Sequence, residues 1–197
     1  MKLVHLKDVA PQPWRNGGGQ TRELLTWPEG GDWRLRISLA DIEKDGPFSA
    51  FPGVTRWFTV VQGRGVVLRF GDRTETLGPG SAPLRFDGGA APGCSLIDGP
   101  TRDLNLMLRG GGGVMRSVLA GASWGEGFAR RGLFTAVPGV LRAGEASTAL
   151  PADTLAWALD WEDGGGGAWV FEPHRPAAGP VGWWLGDRQD ISSADGP

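Results

Sequence analysis

Two segments of the chain carry polar side chains at every second position, with aliphatic residues between them. Arg36 and Ser38 form one such pair, and Asp103 and Asn105 form the other. In a strand these polar groups share one face, and if that face is enclosed they must be hydrogen-bonded. Asp103 could then hold Arg36 or Arg56 in place for a carboxylate ligand, since guanidinium–carboxylate pairing is geometrically selective. The alternative is a buried network that only fixes the strand register.

A loop near the beginning of the chain forms a second candidate binding element. Gly17, Gly18 and the glycine after them can present successive N–H groups to an anion. Trp14 and Asn16 before them, and Thr21 after them, are typical of a ligand pocket. The glycines alone fit a tight turn equally well. The run lacks the GK[ST] ending of a nucleotide-binding loop, so it gives little support for nucleotide binding.

The residues needed for covalent or acid–base catalysis are sparse. The chain contains two histidines, His5 and His174, and Cys94 has no obvious base near it in the sequence. Glu23 and Asp103 could still form an acid–base pair. We therefore expect a binding protein rather than an enzyme.

The elements that position these residues are predicted to be short strands. The 34 glycines and 15 prolines interrupt almost every apolar run, which favours an all-β fold. Alternation predicts strands over Trp33–Ala40 and Arg102–Arg109. It also predicts a hairpin of Trp57–Val61 and Val66–Phe70, turned at Gln62–Gly65.

A weak internal repeat suggests two related halves. Residues Val67–Leu77 match Val140–Leu150 in one ungapped register, with five identities. The alternative is a chance similarity between two strand–turn–strand segments. A run of four glycines, at 110–113, lies between the halves and reads as a flexible connector.

Composition excludes several classes of partner. The formal charge of −2 and the pI near 5.7 provide no basic surface for nucleic acid. A single cysteine allows no internal disulfide. We find no signal peptide in the charged first residues and no apolar run long enough to span a membrane, so we expect a cytoplasmic protein.

With these residues placed, the sequence resembles the HutD/Ves family of two-lobed cupins. The matching pieces, in chain order, are Trp14–Gly19 followed by Thr21 and Glu23, Arg36-x-Ser38-x-Ala40, Gly46–Gly53 with Arg56, and Asp103-x-Asn105-x-Met107. The resemblance implies a bicupin, that is, two jelly-roll-type β-barrels. The first, over 1–109, would carry the family motifs. The second, over 114–197, would be more divergent and end in a tail rich in Trp, Gly and Pro, with the two barrels packed as one unit.

The resemblance also makes the absence of a metal site informative. A cupin metal site needs about three histidines and a carboxylate, because a divalent ion requires several converging N and O ligands. Where such a cupin has its ligands, this chain has Ala50–Pro52 and Arg56. A guanidinium cannot ligate a cation and favours an anion instead. The alternative is that Arg56 is a solvated surface residue. We expect no metal and no other cofactor.

These observations predict a metal-independent protein that binds a small carboxylate in the first barrel. The predicted ligand-binding residues are Trp14, Asn16, Gly17, Gly18, Thr21, Arg36, Arg56, Asp103 and Asn105. The resemblance points to a small anionic metabolite of histidine degradation, such as urocanate or formylglutamate, and to a regulatory or protective role. Two alternatives stay open: a metal-free isomerase or lyase with Asp103 or Glu23 as base, and a stress-induced structural protein with a vestigial pocket. A homodimer is one option for the assembly.

Overall fold

Short strands, separated by turns that glycine and proline favour, account for the regular structure. A computed structural model describes residues 1–110, 112–125, 127–159 and 167–188. The described part contains nineteen strands and two short 3-10 helices, Leu6–Asp8 and Gly88–Ala90, which confirms the all-β prediction. The strands are β1 Lys2–His5, β2 Gln12–Pro13, β3 Gly19–Trp27, β4 Leu35–Ile42, β5 Gly46–Pro47, β6 Val54–Gln62, β7 Val66–Phe70, β8 Arg73–Leu77, β9 Leu84–Asp87, β10 Gly93–Leu96, β11 Thr101–Arg109, β12 Gly113–Val118, β13 Ser123–Trp124, β14 Arg130–Thr135, β15 Gly139–Ala143, β16 Ala146–Leu150, β17 Thr154–Leu159, β18 Trp169–Pro173 and β19 Gly182–Asp187. No helix in the described ranges is long and apolar enough to cross a membrane.

The chain divides into two compact units. One unit is Val9–Gly110, and the other combines Met1–Asp8 with the described part of Gly111–Pro197. The predicted boundary after the first half therefore lies near the glycine run. The first eight residues differ from the predicted assignment, because β1 pairs antiparallel with β17 in the second half of the chain.

The Val9–Gly110 unit, which we call the first unit, is built from two sheets. Its six-stranded sheet has the order β2-β3-β4-β11-β6-β9, and its four-stranded sheet has the order β5-β10-β7-β8. Apolar residues from both sheets form one core, among them Phe58 and Val60 of the larger sheet and Leu68 and Cys94 of the smaller one. The two sheets therefore pack face to face.

The other unit, which we call the second unit, repeats this topology. Its sheets have the orders β1-β17-β14-β19-β12 and β13-β18-β15-β16. Read across the sheets from one edge to the other, β12-β19-β14-β17 corresponds to β4-β11-β6-β9, and β13-β18-β15-β16 corresponds to β5-β10-β7-β8.

The repeat detected in the sequence falls on equivalent hairpins of the two units. The β7–β8 hairpin pairs Val66 with Leu77, and the β15–β16 hairpin pairs Gly139 with Leu150. The burial pattern along β7 is the same as along β15, and that along β8 is the same as along β16. The repeated residues therefore occupy equivalent structural positions.

The hairpin predicted at Gln62–Gly65 is wrong. Both strands exist, but β6 lies in the six-stranded sheet and β7 in the four-stranded sheet. Gly63 and Gly65 have positive φ angles, and a Cβ on either would stand 2.5 Å or less from a backbone oxygen of another segment. The two glycines thus allow the chain to pass closely beneath its neighbours and cross from one sheet to the other.

The alternation predicted on β4 and β11 is present. Leu35, Ile37, Leu104 and Leu106 are almost completely buried on one face of the six-stranded sheet. The opposite face carries the polar residues, and β11 pairs with β4 on one side and β6 on the other. This three-strand arrangement positions the candidate site.

Candidate functional site

A cavity of about 480 Å³ opens on the polar face of the six-stranded sheet, within the first unit. Six of the nine predicted ligand-binding residues line it: Trp14, Asn16, Thr21, Arg36, Arg56 and Asn105. The remaining lining residues are Gln12, Pro13, Arg15, Ser38, Ala40, Ile42, Pro47, Phe48, Ser49, Phe51 and Met107. The complete lining contains three arginines, Arg15, Arg36 and Arg56, and no acidic residue, so its side chains carry positive charge.

Arg56 is the buried cation of this cavity. Its side chain projects from β6 and the residue is 7% exposed, so the alternative of a solvated surface arginine is wrong. Nε and Nη2 donate to Asn105 Oδ1 at 2.9 and 2.7 Å. The guanidinium carbon lies 4.3 Å from the centroid of the Phe48 ring, a cation–π contact. Burial, together with the nearby charge of Arg36, lowers the pKa of Arg56 to about 9.

Arg36 provides a second cation in the same row of the sheet. Met107 on β11 is paired with Arg36 on β4 and with Arg56 on β6. Neighbouring strands are about 4.8 Å apart, so the two arginine backbones are about 10 Å apart across Met107. Arg36 Nε donates to Glu23 Oε2 at 2.9 Å, and both side chains are partly exposed. Glu23 therefore neutralises much of this charge, whereas the partner of Arg56 is a neutral amide.

Asp103 does not line the cavity, although it lies on the same face of β11 as Asn105. It is paired with Ala40 and Val60, which belong to the apolar core. Thr101 Oγ1 donates to Asp103 Oδ2 at 2.7 Å. Because Asp103 is not at the cavity surface, it is poorly placed to act directly as a base on a ligand.

The loop between β2 and β3 closes one side of the cavity. Trp14 Nε1 donates to Thr21 Oγ1 at 2.8 Å, which fixes the indole against β3. The Gly17 N–H donates to the Trp14 carbonyl, and the Gly18 N–H donates to Asn16 Oδ1 at 3.0 Å. Both glycine N–H groups are thus used inside the loop, and neither glycine lines the cavity. This geometry favours the tight turn over an anion-binding nest.

Sequence reasoning did not select Phe48 and Met107 as site residues. Phe48 follows β5 and packs against Phe58 with ring centroids 5.4 Å apart. Both residues lie within the motifs quoted above, but an apolar side chain carries no chemical signal of its own. Only the folded chain shows that the Phe48 ring supports a guanidinium.

The residues around the cavity do not fit a metal ion. The polar side chains that line it carry guanidinium, amide, hydroxyl and indole groups, and a guanidinium has no lone pair to offer a cation. His5 hydrogen-bonds to Thr154 in the second unit, and His174 is exposed. Over the described residues, no three His, Cys, Asp or Glu side chains converge on one point. The prediction that the function is metal-independent stays a prediction.

Comparison with known proteins identifies the family. The HutD family model matches residues 6–143, more than half of the chain. The chain belongs to the HutD family. It is 39% identical over 112 residues to an uncharacterized 21.2 kDa protein in the hutC 3′ region of Pseudomonas putida, covering 54% of this chain and 57% of that protein. It is also 36% identical over 112 residues to protein Ves of Citrobacter koseri, covering 55% and 58%. The matched segment thus spans somewhat more than half the length of these two relatives, and the resemblance stated from the sequence is confirmed.

Two solved structures from Pseudomonas share the fold along nearly the whole chain. A conserved protein of unknown function from Pseudomonas aeruginosa PAO1 superposes with a TM-score of 0.80 at 26% identity, covering 95% of this chain and 97% of that one. HutD from Pseudomonas fluorescens SBW25, determined in a formate condition, superposes with a TM-score of 0.79 at 25% identity, covering 96% and 98%. An oxalate decarboxylase variant from Bacillus subtilis is 9% identical, with a TM-score of 0.61 over 96% of this chain and 78% of that one. This last likeness shows a cupin-like fold and nothing further.

Proposed function

We propose that the first unit binds a small carboxylate, with Arg56 as the principal recognition residue. The supporting observation is a buried guanidinium at a cavity whose lining residues include three arginines and no acid. Two of the donors of Arg56 are held by Asn105, and its guanidinium carbon lies over the ring of Phe48. The remaining N–H groups are thus pre-oriented, which reduces the entropy that ligand binding would lose.

The physiological ligand that we propose is a carboxylate intermediate of histidine degradation, such as urocanate or formylglutamate. Two findings support this choice: the chain belongs to the HutD family, and one relative is described by its place in the hutC 3′ region. A cavity of about 480 Å³ has room for a molecule of this size. A regulatory or protective role follows if the protein binds such an intermediate without converting it.

We also infer that each pair of sheets is a cupin barrel and that the chain is a bicupin. The same strand order occurs in both units, and the structural neighbours are cupin-like. In this proposal the first barrel holds the ligand site.

A thermal-shift comparison of charged and neutral ligands tests the proposal. Formate has three non-hydrogen atoms, and the best small ligands gain about 1.5 kcal/mol per such atom, so its Kd should be about 0.5 mM or weaker. At 100 times Kd, a ligand stabilises the native state by about 2.7 kcal/mol, which corresponds to a Tm rise of about 5–10 °C for a chain of this size. We expect such a rise in Tm with formate at about 50 mM. Formylglutamate or urocanate should produce a larger rise in Tm at the same concentration. Formamide, a neutral amide of similar shape, should produce none, and sodium chloride controls for ionic strength.

The variant Arg56→Met tests whether Arg56 is responsible for the rise in Tm with formate. Methionine keeps an apolar side chain beside Phe48 and removes the charge, so we expect the formate shift to disappear, because hydrogen bonds to charged groups contribute about 1.5–3 kcal/mol. The matched control is Arg64→Met, since Arg64 has a 74% exposed side chain outside the cavity. A full shift in Arg56→Met would reject the role of Arg56. The absence of any shift with all four carboxylates, formate, glutamate, formylglutamate and urocanate, in the unmutated protein would reject the proposed function.

A further inference from the structure

Asp103 is a buried carboxyl group with one oxygen left without a hydrogen-bond partner. The residue has no exposed surface, and Oδ1 accepts no hydrogen bond. Oδ2 has a single donor, the Thr101 hydroxyl. A buried carboxylate is stable only when it is paired and hydrogen-bonded, so this environment favours the neutral carboxylic acid.

Arg56, the cation whose charge acts on this carboxyl group, forms its hydrogen bonds with Asn105 and not with Asp103. Arg56 donates two hydrogen bonds to Asn105 Oδ1, and Asn105 Nδ2 in turn makes a long contact of 3.4 Å with the Asp103 carbonyl oxygen. Asn105 therefore contacts both the guanidinium of Arg56 and the backbone of Asp103. The guanidinium stays turned towards the cavity and is not consumed by an internal ion pair.

The charged and titratable groups around Asp103 come from three strands. Burial raises the pKa of Asp103 to about 8, although the Thr101 hydrogen bond and the charge of Arg56 on β6 lower it, and Asp41 on β4 adds to the rise. Cys94 on β10 faces the same region, and burial together with Asp103 raises the pKa of its thiol to about 12. Arg36 on β4 acts on Arg56 by like-charge repulsion. Between pH 6.5 and 8.0, Asp103 is thus the member of this group whose charge changes most.

We propose that the cavity binds a carboxylate only while Asp103 holds a proton, so that binding above about pH 7 takes up a proton from solvent. Neutral Asp103 does not compensate the positive charge of Arg56, and that charge remains available to the ligand. This inference rests on the proposed function of the same cavity. The proton comes from solvent and adds to a carboxylate oxygen of Asp103, and no other bond changes. An ionised Asp103 would compensate the positive charge of Arg56 and repel the bound anion, since like charges repel strongly in a poorly solvated site.

Proton-linked binding has a defined pH dependence. Below about pH 7 Asp103 is already protonated, so affinity should be constant and binding should take up no proton. Near pH 8 about half of the free protein carries an ionised Asp103, and binding should take up about half a proton. At higher pH the affinity should fall by up to tenfold per pH unit. Because Asp103 acts through Arg56 and does not line the cavity, it is a positioning residue.

Calorimetric titration with formate tests the inference, because formate itself stays ionised throughout this range. Formate is titrated at pH 6.5, 7.5, 8.0, 8.5 and 9.0, and at pH 8.0 in both Tris and triethanolamine, whose ionisation enthalpies differ. We expect the measured heat at pH 8.0 to depend on the buffer and to report uptake of about half a proton. Asp103→Asn, which is neutral at every pH, should bind formate up to pH 8.0 with a Kd close to that of the unmutated protein at pH 6.5, and its heat of binding at pH 8.0 should depend little on the buffer.

The possible outcomes separate the inference from the proposed function. Formate binding with constant Kd and no proton uptake would overturn the inference and leave the carboxylate site intact. A loss of affinity between pH 6.5 and 8.0 that is equally large in Asp103→Asn would overturn it too, because Asp103 would then not be its cause. No formate binding at any pH would overturn both. The two-buffer measurement on the unmutated protein requires no variant, so a folding defect in Asp103→Asn does not prevent the test.

Discussion

At the scale of single residues, the site is a charged group held by neutral neighbours. The amide of Asn105 satisfies two donors of Arg56 without cancelling its charge, whereas Glu23 pairs directly with Arg36. The charge of Arg36 is therefore paired with a carboxylate and that of Arg56 is not, although the two arginines share one row of the sheet. We expect a carboxylate ligand to gain more binding free energy at Arg56.

The Phe48 ring is expected to contribute to recognition as well as to packing. Phe48 and Phe86 are equally buried core residues, and both rings face Arg56, but the guanidinium carbon is 4.3 Å from the Phe48 centroid and 5.6 Å from that of Phe86. Replacing either by leucine should lower the free energy of unfolding by about 1–3 kcal/mol through lost packing. Only Phe48 lines the cavity. We therefore expect Phe48→Leu to weaken formate binding about three- to tenfold, and Phe86→Leu less than twofold.

Calorimetric affinities and urea unfolding of the two variants check this prediction together. Equal loss of affinity in both would show that general loosening of the core, and not the ring beneath the guanidinium, governs binding.

At the scale of elements, the loop between β2 and β3 depends on a close approach of two backbones. A Cβ on Gly19 would stand 2.2 Å from the Asp41 carbonyl oxygen and 3.2 Å from the Trp14 ring. The Trp14 N–H also donates to the Gly19 carbonyl at 2.9 Å. Glycine is required here because β3 and β4 meet at this point and the loop folds back over the cavity.

Gly19→Ala should therefore displace the loop. We expect a loss of about 1–3 kcal/mol in the free energy of unfolding, as for other overpacked sites, and weaker formate binding because Trp14 and Thr21 move with the loop. Gly93→Ala on β10 is the matched control, since a Cβ there meets no atom within 4 Å and its φ is not positive. The control should stay within about 0.5 kcal/mol of the unmutated protein. Unchanged stability and binding in Gly19→Ala, measured by urea unfolding and calorimetry, would contradict this account.

At the scale of the whole molecule, the same topology encloses two different interiors. In the first unit the sheets leave a cavity beside Arg56. In the second unit the corresponding sheets are filled by stacked aromatic rings: Trp124 and Trp184 lie 5.3 Å apart, Trp169 packs edge-on against Trp184, and Phe128 packs on Trp124. Arg130, a buried cation among the described residues of the second unit, is paired with Asp187 at 2.8 Å. Its charge is therefore neutralised by an internal partner, unlike that of Arg56.

We accordingly expect carboxylate binding in the first unit and not in the second. In hydrogen-exchange mass spectrometry with saturating formate, peptides that cover β4, β6 and β11 should become more protected, because ligand binding suppresses local opening around the site. Peptides that cover β14, β15, β18 and β19 should show no change, and Arg56→Met should show no protection in either unit. Comparable protection of β14 and β19 would indicate a second site and contradict this assignment.

The sequence by itself determined the features that depend on local periodicity. The two-residue alternation on β4 and β11 placed Arg36, Asn105 and Asp103 on one face, since a strand can present its side chains in no other way. Glycine and proline density determined the all-β class, and the spaced motifs determined the family. The repeat at Val67–Leu77 and Val140–Leu150 identified two equivalent hairpins.

Only the tertiary structure decided which strands are neighbours and what lies beneath each side chain. The run Gln62–Gly65 has the composition of a hairpin turn, but close contacts with Pro100 and Leu77 direct it into a crossing between sheets. Alternation gave Asp103 and Asn105 the same face, yet pairing with Ala40 and Val60 buried Asp103 in the core while Asn105 reached the cavity. The ring beneath Arg56 and the partner of each arginine likewise come from residues distant in sequence. Such contacts are set by the packing of whole sheets, which local periodicity does not encode.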